Sequence, residues 1–138
     1  METQTRLNVL YGSLVIEDLI SSILGNLLDI DYENSKTLGS KTSSLSFKNK
    51  IDLITDMRVL KREDAKKFEL FAKIRNKFIH NLRIDTFLKC FENLDGEDKV
   101  LVKLYPVNNS ESLSDEAILE RCFDSLFIDL NKIIGTVF

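Results

Sequence analysis

The sequence predicts an all-α fold, a bundle of about five helices, and three observations carry that expectation. Apolar residues recur at steps of three and four along most of the chain. One proline and five glycines are few for a β-protein built on tight turns. At 138 residues the chain suits one domain spanning 1–138, able to close a core without metal or disulfide staples.

The first helix is read from Leu7 to Leu28, with Leu7, Leu10, Tyr11, Leu14, Ile16, Ile20, Ile23, Leu24, Leu27 and Leu28 forming a wide apolar face. From Asp29 to Ser44 the text is polar and without apolar period, and reads as a mobile loop. A second helix starts near Ser44 or Ser46 and uses Leu45, Phe47, Ile51, Ile54, Met57 and Leu60. After a break at Lys61 and Arg62, Glu63 and Asp64 suit the positive end of a third helix, whose stripe is Phe68, Phe71, Ile74, Phe78 and Leu82. A short fourth helix holds Ile84, Phe87, Leu88, Phe91 and Leu94 and stops at Asp95-Gly96. Val100 to Tyr105, before Pro106, reads as a short extended segment, either a strand or a connection across the bundle. The last helix takes Ser114 as N-cap and turns Ile118, Leu119, Cys122, Phe123, Leu126, Phe127, Leu130, Ile133 and Ile134 inward.

Cys90 and Cys122 lie in apolar helical patterns without metal-ligand spacing, and are expected to be buried free thiols. No basic leader starts the chain, and no run of apolar letters reaches the roughly 20 residues of a membrane span, so a cytoplasmic location is expected, with no membrane partner. The net charge is −3, yet Arg58 to Arg83 holds nine Lys/Arg against three Asp/Glu. A solvated helix face or a phosphate-bearing partner would each account for that +6 segment.

His80 is the only histidine. On a helix turning about 100° per residue, Arg75 falls within the apolar stripe and His80 projects from roughly the opposite side. A charge in an apolar stripe needs a partner. Asp18 or Asp52, both amid apolar runs, would serve as an intrachain mate; otherwise part of the stripe meets a second subunit or a phosphate, for which a guanidinium fork is suited. Asn76 and His80, four apart, share a face. The pairs Glu17-Asp18 and Asp29 with Asp31 read as surface charge. No phosphate-binding glycine loop, nucleophile elbow or zinc ligand set is present in the sequence, so no metal or cofactor is expected. Nor does a separate basic recognition helix stand out, which makes direct DNA binding an unfavoured reading.

Arg75-Asn76-x-x-x-His80 resembles the R-(N/D/H)-x-x-x-H signature of HEPN domains, short helical bundles that dimerise and bring two such motifs together. Residues 44 to 82, with Ser44 to Leu53 and Ala65 to His80 foremost, look more specifically like the mannitol repressor (MltR-like) family, which shares that architecture. The HEPN resemblance implies metal-independent endoribonuclease activity of the toxin–antitoxin or defence type. His80 would be its general base or acid, Arg75 would hold the scissile phosphate, and Asn76 would orient the imidazole or the phosphate. Lys73, Lys77 and Arg83 would line the RNA path. With one histidine per chain, an acid and a base together require water or a second subunit, so a homodimer is implied. HEPN toxins that work with a nucleotidyltransferase carry a tyrosine two residues after the histidine; here that residue is Leu82, and their regulatory scheme does not carry over. The mannitol repressor resemblance implies instead a non-catalytic module in transcription regulation, acting through a protein partner.

Overall fold

The computed structural model describes residues 3–39 and 44–137 and holds six α-helices among them: α1 (Gln4–Leu28), α2 (Phe47–Asp56), α3 (Arg62–His80), α4 (Phe87–Phe91), α5 (Glu97–Leu104) and α6 (Asp115–Val137). Two 3₁₀ turns, Tyr32–Asn34 and Ser110–Ser112, punctuate the connections, and the described residues form no strand. The all-α expectation therefore holds.

Helix boundaries follow local chemistry. Thr3, Ser46 and Thr86 cap α1, α2 and α4, each side-chain oxygen accepting from the backbone N–H three residues on. Ser114 does the same for α6, accepting from the Ala117 N–H. α1 ends where Asp29 turns left-handed, and α2 ends at Asp56, earlier than the apolar pattern implies, because Arg58 adopts φ 62°. Leu60 reaches the core from the connection instead.

Four other expectations are corrected. Residues 97–104 are helical rather than extended: Gly96 begins the helix, Glu97 and Asp98 occupy its first turn, and Leu101 is buried. Val100 and Val102 mimic a strand by composition, but among the described residues there is no strand to pair with. Leu82 leaves the α3 stripe, since the helix ends at His80 and Leu82 stands 81% exposed. In the loop, residues 40–43 lie outside the described residues, while the remainder is organised. Ser35 accepts from the Thr37 and Leu38 backbone N–H groups, and Leu38 is buried in the core. Finally, α1 is long and apolar enough to cross a membrane by length and composition, contrary to the reading that no run qualifies. Interruption at Glu17-Asp18 hid this. In the fold, α1 sends Val9, Ile16, Ile20, Ile23 and Leu24 into the core.

α6 packs against α1, α3, α4 and α5, while α1, α2 and α3 pack on one another. A chain of phenyl rings crosses these layers. Phe47 lies 6.3 Å from Phe71, Phe71 stacks on Phe123 at 5.6 Å, Phe123 meets Phe87 at 5.0 Å, and Phe87 meets Phe78 edge-on at 5.5 Å. Such pairs add roughly 0.5–1.5 kcal/mol each beyond their buried area. Gly12 lets α6 close on α1, because a Cβ there would come within 3.1 Å of the Phe127 ring.

Polar groups finish the packing. Glu116 of α6 accepts from the Phe87 and Leu88 N–H groups at 2.9 Å each, filling the open amides at the start of α4. Cys90 and Cys122 are buried free thiols; burial pushes Cys90 up to about 12. Asp129 of α6 accepts from Lys67 of α3 at 2.9 Å and from the Tyr105 hydroxyl at 2.5 Å. Burial opposes its ionisation, but those two donors prevail and hold the carboxyl below its usual range.

The sign of that shift fixes a pH dependence. A carboxyl depressed in the folded state stabilises the fold above its unfolded value, about 3.9, and loses that contribution as pH falls through the lower folded value. Asp129→Asn should therefore lower the melting temperature near neutrality, and the gap to the parent should narrow below about pH 4. Melting curves followed by circular dichroism at stepped pH test this, and a gap constant down to pH values near 2 would refute it.

Candidate functional site

The last two turns of α3 carry Arg75, Asn76 and His80, and packing fixes how that helix is rotated. Phe68, Phe71, Ile74 and Phe78 are all buried, so the helix cannot turn without lifting them from the core. Arg75 sits at the edge of this face, with its side chain 20% exposed. Its Nη2 donates to Glu17 Oε2 of α1 at 3.1 Å, and its Nη1 donates to Asn76 Oδ1 at 3.1 Å. The guanidinium carbon stands 5.5 Å from the centroid of the Phe47 ring in α2. Nε is buried without an acceptor among the described residues.

Glu17 serves a second cation. Lys50 of α2 is 1% exposed, and its ammonium donates to Glu17 Oε1 at 3.5 Å and to the Gly39 carbonyl at 3.3 Å. One carboxylate on α1 thus joins α2 and α3. The intrachain partner of Arg75 is Glu17, rather than Asp18 or Asp52. Asp18 accepts from the Tyr32 hydroxyl, and Asp52 pairs with Lys48 one turn away on the exposed side of α2. Reading Glu17 as surface charge was the error. It stands four residues from Ser13 and from Ser21, both buried, which places it on the inward edge of α1. Lys50 was missed as well, although it lies between Phe47 and Ile54 on the buried side of α2. Two cations in two apolar stripes are the signal that a shared carboxylate must exist.

Asn76 and His80 are exposed, and the His80 side chain, at the end of α3, makes no hydrogen bond or ion pair among the described residues. Arg75 and Asn76 are brought together; Arg75 and His80 point apart, as the helical period requires. Of the three basic residues, Lys73 is paired with Glu97 of α5 at 3.3 Å. Lys77 and Arg83 carry no ion pair among the described residues. The turn that follows His80 is held by Arg6, a buried residue of α1 that donates to the carbonyls of Asn81 at 3.3 Å and Ile84 at 3.2 Å.

No family model, curated protein or solved structure matches this chain. The site therefore rests on its own geometry. That geometry offers a solvent-facing imidazole beside an exposed carboxamide, and an arginine whose charge is already answered. No group of three or more metal-ligating side chains is found among the described residues.

Glu17→Ala should destabilise the fold by roughly 3 kcal/mol, at the low end for breaking a buried pair, because Lys50 would lose its carboxylate. Asp52→Ala should cost less than about 1 kcal/mol, as expected of an exposed pair. Urea unfolding of both variants decides the matter: equal losses would show that Glu17 does not hold the three helices.

Proposed function

We propose that the chain is a HEPN-like interaction module of the mannitol repressor type, acting by contact with protein partners, with Arg75 serving the fold. The observation that carries this reading is the commitment of the Arg75 guanidinium to Glu17 and Asn76 of its own chain. To clamp a phosphate, Arg75 would have to release Glu17, leaving that carboxylate to Lys50 alone in a half-buried setting. A second feature supports contact-based function. Leu7, Tyr11 and Leu14, spaced by four and three on α1, are 46%, 71% and 67% exposed and form an apolar stripe on the outer face of the bundle. A stripe with this spacing suits a helix from another chain, and a second copy of this chain would make the homodimer that the resemblance implies.

A metal-independent endoribonuclease is the second reading, and one observation favours it. His80 and Asn76 are exposed one helical turn apart, with Lys77 and Arg83 nearby in sequence and free of carboxylate partners. In that reading His80 takes or gives the proton, a second copy supplies the other histidine, and Lys77 and Arg83 engage the RNA backbone. Lys73 contributes less, since Glu97 already answers its charge.

Incubating mixed RNAs with the purified protein in excess chelator, beside His80→Ala, separates the two. The interaction reading expects no cleavage by either protein; cleavage by the parent alone would overturn it in favour of the nuclease. The stripe has its own test. Tyr11→Lys should weaken self-association by at least about tenfold in sedimentation equilibrium, the loss typical of a buried aromatic anchor. An unchanged association constant would remove α1 from the interface.

A further inference from the structure

Beside the Glu17 junction lies an open groove of about 410 Å³, walled by Leu14, Tyr32 and Leu38 and bordered by Asp18, Ser21 and Glu33. Its size and mixed lining are those of a small-ligand site. Two polar features are unspent. Ser21 is 3% exposed, yet its hydroxyl, on the wall of the groove, makes no hydrogen bond among the described residues. At the rim, Asp18 and Glu33 are exposed and carry no ion pair among the described residues, Asp18 accepting only the Tyr32 hydroxyl at 3.3 Å. Among the described residues the cation lining the groove is Lys50, and it is directed to Glu17 and the Gly39 carbonyl. Burial raises the Tyr32 hydroxyl pKa, and the neighbouring carboxylates Asp18, Glu33 and Asp31 raise it further.

We infer that this groove binds an alkylammonium group. Asp18 and Glu33 hold the ammonium at the rim, the Ser21 hydroxyl accepts one of its N–H groups, and the alkyl stem lies against Leu38 and the Tyr32 ring. Lys50 excludes the cation from the inner end and so orients it. The chemistry is the same for a free amine and for a lysine side chain of a protein. The site shares no residue with Asn76 or His80, so it stands whether or not the motif is catalytic.

The test is a titration of the full-length protein, isotopically labelled and followed by amide NMR. The probes are butylammonium, putrescine, N-acetyl-lysine amide, and butyrate as the anionic control. Saturable shifts at Leu14, Ser21 and Tyr32 are expected with the amines and none with butyrate. Asp18→Asn combined with Glu33→Gln, both on the surface, should weaken amine binding at least about tenfold, the loss of one charge-assisted hydrogen bond. Ser21→Ala should weaken it less while leaving the fold intact. Tighter binding of putrescine than of the lysine mimic assigns the site to a free amine, and the reverse assigns it to a protein lysine. Absence of saturation with every amine, butyrate binding as well as butylammonium, or an unaffected double variant would each overturn the proposal.

Discussion

Lys50 is enclosed almost completely, and an ammonium can be enclosed only where a carboxylate and further acceptors replace the water it has lost. Glu17 supplies that carboxylate and gives its other oxygen to Arg75. The remaining packing follows from this junction. It sets the register of α1 against α2 and α3 and presses the Arg75 guanidinium over Phe47, the first ring of the phenyl chain that runs through Phe71 and Phe123 to Phe87 and Phe78. The polar junction and the aromatic core are thus one structure.

The junction also determines what the motif on α3 can do. With Arg75 turned toward α1 and α2, helical geometry carries the fifth residue onward by about 500°, or 140° net, and puts His80 in solvent. Asn76 lies between the two and is drawn to Arg75 by its own side-chain oxygen. The three residues therefore form a graded series from a structural cation, through a bridging amide, to a free imidazole. In a single chain they do not converge on one reacting atom, and a reaction using all three would need rearrangement or a second copy. The contact-based reading needs no such convergence.

Most of the fold was legible because it depends on periodicity. The buried faces of α3 and α6 match the apolar pattern closely, and Ser114 caps α6 as its sequence implies, whereas on α1 only Ile16, Ile20, Ile23 and Leu24 of the expected face are buried and Leu7, Tyr11, Leu14, Leu27 and Leu28 are exposed. The failures share a physical cause. Val100 to Tyr105 has the composition of a strand but no partner strand among the described residues, and the acidic first turn after Gly96 favours a helix. Leu82 fits the spacing of α3, yet the chain leaves the helix before reaching it. For the site, the sequence placed a charge in an apolar stripe and correctly demanded a mate for Arg75, but chose Asp18 or Asp52 over Glu17. Adjacent carboxylates differ by one step of about 100° around the helix, and assigning that step requires knowing where α2 and α3 lie.

That same step divides the work of the Glu17-Asp18 pair. Glu17 faces inward and is consumed by two cations; Asp18, one residue on, faces outward beside Tyr32 and forms no ion pair among the described residues. Because Glu17 neutralises the inner wall, the groove outside it takes its character from Asp18 and Glu33, and because Ser21 lies one turn further along α1, its unused hydroxyl opens onto the same space. Arg75 and Asn76 repeat the pattern on α3, with one residue bound into the junction and its neighbour presented to solvent. A junction that absorbs one member of each polar pair leaves the other member available. The surface residues with unspent chemistry, Asp18 on α1 and Asn76 with His80 on α3, accordingly lie to either side of it.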